Sequence, residues 1–501
     1  MANTFVVSRN HLIFGLCLPL AVLLGYLLAD PLESSSLAIV VMVLSVLVVP
    51  LLMSWHHPLL ILSWNAMINP GFFPGRPYLW MILAFVSLLL SVLGRAVNPT
   101  RKFLLVPEVT WPLACLGVVV FLTACVTGGF GMRAMGAEHF GGKGYVYIFA
   151  AVAGYFALTG QVIPPQRAQL YLALFFLSGF TAMVSNLAWF AGPSFFFLYN
   201  WFPPELAADQ AMGSVVLGDA TVRISGLMMA AFATHAFLLA RYGVVGVFDL
   251  KRPWRLALFL GAGIASLYGG FRGAVMFQVA TFAILFVVEG LWRTRYLFFV
   301  LCLALVGGAL LVSFVDQMPL SAQRAVSFLP VKVDPLTKQS AEDSVEWRLE
   351  LWRGLLPEVP KYFFKGKGYA LDPQELWSLY DVSNRGDSDS AAIMAYAGNY
   401  HNGALSVIIP FGVYGMVAFL WFLGAGAWVL RQNYRHGDPA LHAANAFLFA
   451  CFITRVLFFF LVFGALYNDL FHFTGLVGLS VSLNGGVRRL EGEKDGAVDL
   501  M

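Results

Sequence analysis

Apolar residues fill this chain in runs about the length of a bilayer. They read as 11–29, 36–54, 57–70, 77–95, 110–127, 144–160, 168–190, 223–241, 255–269, 272–290, 295–314, 403–429, 440–463 and 470–486. Inside hydrocarbon a helix satisfies all its own backbone polar groups, so apolar runs of roughly 17 to 25 residues predict spanning helices. The pattern predicts an all-α polytopic integral membrane protein with about 12–14 transmembrane helices. Two places depart from the simple pattern. The run 57–70 is short and is followed by Pro70-Gly71 and Pro74-Gly75, which suits a re-entrant segment. Only Gly269-Gly270-Phe271-Arg272-Gly273 separates 255–269 from 272–290, which requires a tight hairpin.

The polar positions divide the chain. Residues 1–314 form an N-terminal transmembrane bundle, with a loop rich in aromatics and proline at 191–222. One large loop covers 315–402, C-terminal spans cover 403–487, and a tail covers 488–501. Within the large loop an amphipathic helix is expected near 344–356. Wound at 100° per residue, Val345, Arg348, Leu349, Trp352, Leu355 and Leu356 share one face, with Glu346, Glu350 and Arg353 on the other. Asp343 and Glu346 have the spacing of a capping box, and Pro357 ends the run. Arg348 stands at the centre of the apolar face. A guanidinium there either lies along the surface with its head in water or meets an anion or cavity.

Composition removes the soluble classes. The 501 residues are 59% hydrophobic and 12% charged, with a mean hydropathy of +0.76, where a soluble domain carries about a quarter charged residues. All five cysteines lie in apolar runs and form no CxxC or disulfide framework, so they read as small apolar residues. The first run follows only Arg9 and lacks a small-x-small cleavage site, so it reads as a retained helix.

Charge placement sets the orientation. With the N-terminus inside, sixteen Lys and Arg fall in inner segments against five in the short outer loops. Both termini are then expected in the cytoplasm and the 315–402 loop outside. This puts Arg223, Arg272, Arg348 and His401 on one side of the membrane. Arginine suits bidentate recognition of phosphate oxygens, and histidine suits taking a proton from a hydroxyl. Taken singly, an arginine at a helix end ordinarily snorkels, and a lone interfacial histidine is ordinarily structural. Gly366-Lys367-Gly368 has the form of a phosphate-binding turn, although a lone Gly-x-Gly is usually only a turn. Asp381, Asp387 and Asp389 lie in a polar loop without metal-ligand spacing. Arg455 sits mid-segment, with Asp469 as a candidate partner.

Several of these elements occur in a fixed order: Arg-Ile-Ser-Gly at 223–226, Gly-Gly-Phe-Arg-Gly at 269–273, and Arg348-x-x-x-Trp352. Gly366-Lys367-Gly368, Tyr-His-Asn at 400–402 and Phe-Gly-Val-Tyr-Gly at 411–415 follow. In this order, with a large outer loop between two late helices, the chain resembles the O-antigen ligase and O-antigen polymerase superfamily over about 220–430. The hairpin departs from the family's more usual Ser-Arg pair. The resemblance implies a metal-independent, inverting glycosyltransferase of GT-C-like architecture in the bacterial inner membrane. Its donor would be a glycan on undecaprenyl diphosphate at the periplasmic face, and its acceptor a lipid A–core sugar or another glycan. Arg223, Arg272 and Arg348 would bind the diphosphate, and His401, with Arg348 and Arg272, would serve catalysis. Trp352 and Asn402 are the candidates for packing against substrate. No cofactor, metal or nucleic acid is expected. Ligase, O-antigen polymerase and exopolysaccharide polymerase remain open. A transporter or flippase of a lipid-linked or anionic substrate is the alternative. Only Arg455 favours it, since the other cations lie at helix ends or in loops and the halves show no internal repeat.

Overall fold

A computed structural model describes residues 52–73, 75–97, 103–128, 142–207, 223–370 and 398–489, together with 21, 22, 25 and 377. Nearly all of the first and second runs and the Asp381–Asp389 stretch lie outside these residues. The protein is helical, with no strand among the described residues. The membrane part runs α1 (52–63), α2 (Leu79–Val97), α3 (Pro107–Thr127), α4 (Gly142–Leu158), α5 (Ala168–Leu177) and α6 (Met183–Ala191). It continues with α7 (Ser225–Val247), α8 (Pro253–Leu267), α9 (Arg272–Val288) and α10 (Arg295–Phe314). The long loop contributes α11 (Leu320–Val326), α12 (Pro335–Leu355) and α13 (Glu358–Tyr362). The chain then returns through α14 (Gly403–His436), α15 (His442–Leu461) and α16 (Leu466–Asn484).

Seven helical stretches among the described residues are long and apolar enough to cross a membrane, so this is a polytopic membrane protein. Three further apolar helices, α4, α8 and α9, have only 15 to 17 residues. The run 168–190 is a span interrupted by a 3-10 turn at Ser178–Ala182. The run 57–70 is helical only to residue 63. Its helix starts by residue 52, so the expected break before 57 is absent. Residues 66–70 are irregular, and the backbone beyond is satisfied by protein rather than by lipid. Asn69 and Gly71 donate to the carbonyls of Trp201 and Asn200, at 2.9 and 2.6 Å.

The core is made where α16 packs on α4, α14 on α3, and α15 against α7 and α9. Phe419, Phe422, Phe452 and Phe473 are fully buried there. By contrast, α10 buries none of its side chains and leaves most of them exposed, as a lipid-facing span would.

One irregularity in α14 explains two of the sequence motifs together. Pro410 lacks an N–H, and Gly412 takes φ +63, so the helix breaks and leaves carbonyls unpaired. The 363–368 turn fills that break. Lys367 N–H donates to Ile409 O at 2.8 Å, Gly368 N–H to Pro410 O at 2.9 Å, and Val413 N–H to Phe363 O at 2.7 Å. The Lys367 and Gly368 amides are thus spent on docking, and Gly366 N–H donates to Tyr362 O at 2.9 Å, which removes the phosphate-binding reading of that turn. Gly366 has φ +74, and a Cβ there would overlap the Pro410 carbonyl oxygen. Gly366→Ala is therefore expected to cost about 1–3 kcal/mol and to lower the melting temperature in detergent. An unchanged melt would show that this docking contributes nothing.

Candidate active site

At one end of the bundle, the loop helices close over a cavity of about 620 Å³. Arg223, Arg272, Arg324, Arg348 and Arg455 line it with His401, and Asp469 is the one acid among the described lining residues. Much of the remaining wall is aromatic, including Phe271, Phe277, Phe459 and Phe463. Apolar walls lower the local dielectric, so concentrated positive charge acts strongly on an anion there.

Each cation is placed by an identifiable local device. The Gly269-Gly270 turn ends α8 and lets α9 start at Arg272. Gly270 has φ +70, and a Cβ on it would press at 3.1 Å on the Arg223 stem. The glycine thus makes room for Arg223 beside the hairpin, with its guanidinium 5.4 Å from the Phe271 ring centroid. The start of α9 carries no side-chain cap, and Phe271 to Ala274 all line the cavity. The first-turn N–H groups of a helix favour an anion. Arg272 also donates from Nη2 to Ala341 O at 3.1 Å, which ties the hairpin tip to α12.

The structure changes the reading of α12 in two respects. The helix begins at Pro335, capped by Asp334, whose carboxylate accepts from Leu336 N–H at 2.8 Å. Asp343 is therefore inside the helix rather than capping it, because Asp-Pro at 334–335 is the stronger start signal. The buried stripe is also rotated from the expected face. Ala341, Leu351 and Leu355 are buried, whereas Val345, Leu349 and Leu356 are exposed. Spacing alone does not choose between two apolar flanks of one helix; the partner does. Here the partner is the segment of Tyr400, Leu405 and Ile409. Arg348 keeps its place at the edge of that stripe, half-buried, and lines the cavity. Burial first, then the like charge of Arg272, holds its guanidinium below the usual arginine range. Arginine nonetheless stays protonated, so the arrangement favours an arriving anion.

His401 sits in the turn just before α14 with φ +48, a left-handed conformation that few non-glycine residues adopt, asparagine, aspartate and histidine most often. Its neighbours hold it there. Trp347 and Phe463 meet the imidazole edge-on at 5.1 and 4.8 Å between centroids. Neither Nδ1 nor Nε2, both buried, has a hydrogen-bond partner among the described residues. Desolvation, then the charge of Arg348, lowers its pKa to about 4. The imidazole is thus neutral near pH 7 and able to accept a proton.

The remaining expected residues take other parts. Trp352 does not appear among the cavity walls. Its indole N–H donates to Tyr400 O at 3.0 Å, so it packs behind His401. Asn402 is likewise absent from the walls, and its Oδ1 caps α14 by accepting from Leu405 N–H at 3.0 Å. Arg455, which spacing alone associated with transport, lines the same cavity, 5.1 Å from the Phe277 centroid. Asp469 shares the cavity, and its Oδ2 accepts from Ala465 N–H at the start of α16. Sequence reasoning missed Arg324. The only signal available was a single arginine in the short Leu320-Ser321-Ala322-Gln323-Arg324-Ala325-Val326 stretch of the polar loop. Among the described residues, no group of three or more His, Cys, Asp or Glu is placed to hold a metal ion.

Residues 256–420, about a third of the chain, match the family model Wzy_C, O-Antigen ligase. This segment is O-antigen ligase-like. The match bears out the resemblance drawn from the ordered motifs, and it supports a membrane glycan ligase or polymerase. Arg272, Arg324, Arg348 and His401 fall inside the O-antigen ligase-like segment, while Arg223 and Arg455 enter the cavity from outside it. No curated protein matches the chain.

Proposed function

We propose that the cavity transfers a glycan from a polyprenyl-diphosphate donor to a sugar hydroxyl at the periplasmic face of the bacterial inner membrane. The observation that carries this reading is five arginines and one neutral, unpartnered imidazole around a single space. Arg223, Arg272 and Arg348 hold the diphosphate and stabilise the charge that grows on it as the C1–O bond breaks. His401 takes the proton from the acceptor hydroxyl as its oxygen bonds to C1 from the opposite face, with inversion. The polyprenyl diphosphate leaves. A diphosphate is already a good leaving group and the guanidinium groups supply its counter-charge, so the reaction needs no divalent metal. Helices α11 and α12 of the large loop, through Arg324, Ser344 and Arg348, form the periplasmic roof over the site.

The test is full-length protein in liposomes with a lipid-diphosphate oligosaccharide, candidate acceptor glycans and a chelator. Product is expected on one acceptor, at a rate the chelator leaves unchanged. Failure of every acceptor, or movement of the intact donor across the bilayer, would replace transfer with transport.

The histidine sets a second expectation. With a pKa near 4 in the free protein, His401 is already neutral at pH 5 to 8. The kcat/KM profile should then show no inflection near 6.5 and should fall only as pH drops towards 4. Bound diphosphate opposes the effect of Arg348, so the acid limb of kcat should lie at higher pH than that of kcat/KM. A kcat/KM limb centred near 6.5 would show that the imidazole is solvated rather than held in the apolar wall.

A further inference from the structure

The cationic cavity continues into a second space of about 560 Å³, with Arg455, Met228, Ala274, Phe277 and Phe463 shared between their walls. We infer that this second lobe is a saccharide subsite, which receives a sugar of the donor or of the acceptor beside the diphosphate. The inference rests on the transferase reading above and adds where the glycan lies.

The wall composition carries it. In a chain crowded with Leu, Ile and Val, none of the three is among the described residues lining this lobe. The faces are aromatic instead. Trp80 stacks on Phe471 at 4.8 Å and 15°, Trp64 lies 5.5 Å from Trp80, and Tyr78 meets Tyr147 at 89°. Aromatic faces pack against the C–H side of a pyranose. Amides and hydroxyls enter the same wall through Asn65, Asn468, Tyr78 and Tyr147. A prenyl chain offers such groups no hydrogen bond, and burying them against hydrocarbon carries a desolvation cost. A sugar offers hydroxyls in all directions. Asn65 is held in place through its own Nδ2–H, which donates to Phe175 O at 2.8 Å. The volume suits roughly two or three sugar rings, within the ordinary range of ligand pockets.

The junction places the sugar correctly for the chemistry. Arg455 stands in both walls. A glycan in the aromatic lobe and its diphosphate in the cationic lobe would put the connecting C1–O bond at this junction.

The test uses the full chain in liposomes and the variants Asn468→Leu and Tyr78→Phe, with melting curves as a folding control. Three probes are bound to each: glycan-free polyprenyl diphosphate, the same lipid carrying its oligosaccharide, and the free oligosaccharide released from that lipid by mild acid. Removal of one buried polar contact is expected to weaken the glycan-bearing probes about tenfold. The glycan-free lipid should bind unchanged. If the donor probes are unaffected and the KM for the acceptor rises about tenfold instead, the lobe holds the acceptor's sugar. Equal weakening of both lipids, with or without glycan, would show a prenyl channel and overturn the inference. No change in any probe or in the acceptor KM would overturn it as well. Loss of transferase activity as an explanation is scored separately. If wild-type protein fails to bind the glycan-free lipid, the diphosphate site falls, and the free oligosaccharide still decides the fate of this lobe.

Discussion

Arg348→Ala is expected to lower glycan transfer about 10²–10³-fold, the usual effect of removing one preorganised electrostatic donor. The variant should insert normally and melt no lower than the parent. In the free protein Arg348 is half-buried, lowered in pKa by burial and by Arg272, so truncation relieves an unfavourable charge. Function and stability should therefore move apart, as they do where a site is strained for its ligand. Arg348→Lys retains the charge and loses the planar fork, so its rate should fall between the two. Activity and melting are measured on the same liposome preparation. A transfer rate for Arg348→Ala matching the parent would remove Arg348 from the mechanism. A rate loss accompanied by a large drop in melting would assign it to the fold instead.

His401→Asn should stop transfer to a comparable or greater degree, about 10²–10⁴-fold, since a positioned general base commonly contributes that much. Asparagine is the informative replacement. The left-handed backbone at this position, φ +48, is tolerated by asparagine more readily than by alanine, so the turn before α14 should keep its shape. His401→Ala confounds lost chemistry with backbone relaxation. Donor binding should survive in His401→Asn, because the proposed site holds the diphosphate through the arginines. Residual turnover at the parent rate would show that the acceptor proton leaves by another route. Loss of donor binding together with turnover would make His401 a structural element of the turn.

The motifs that looked alike in sequence separate by function once folded. Gly366-Lys367-Gly368 and Phe411-Gly412-Val413 are far apart in the order of the chain, yet they form one joint, because a broken helix needs outside N–H donors for its free carbonyls. Gly269-Gly270 makes room for an arginine stem rather than for a ligand. Trp352 and Asn402, adjacent to chemistry in sequence, support it from behind: one fixes the Tyr400 carbonyl and the other caps α14.

Some of this was determined by the sequence alone, because its cause is local. Apolar run length dictates spanning helices, since each helix must satisfy its own backbone in hydrocarbon. The bounds of α9 and α10 follow from that, and so does the tight turn joining α8 to α9. The oddity of Arg348 was also legible, as a charge at the centre of an apolar stripe. What only tertiary structure decided are the quantities that depend on a distant partner. The choice of buried flank on α12 was set by Tyr400, Leu405 and Ile409. The entry of Arg324 and Arg455 into the cavity was set by the docking of α11 and α15 around α9. The neutrality of His401 was set by burial against Trp347 and Phe463 and by a guanidinium from another helix. A spacing rule reads one helix at a time, whereas desolvation and Coulomb energy depend on which surfaces meet.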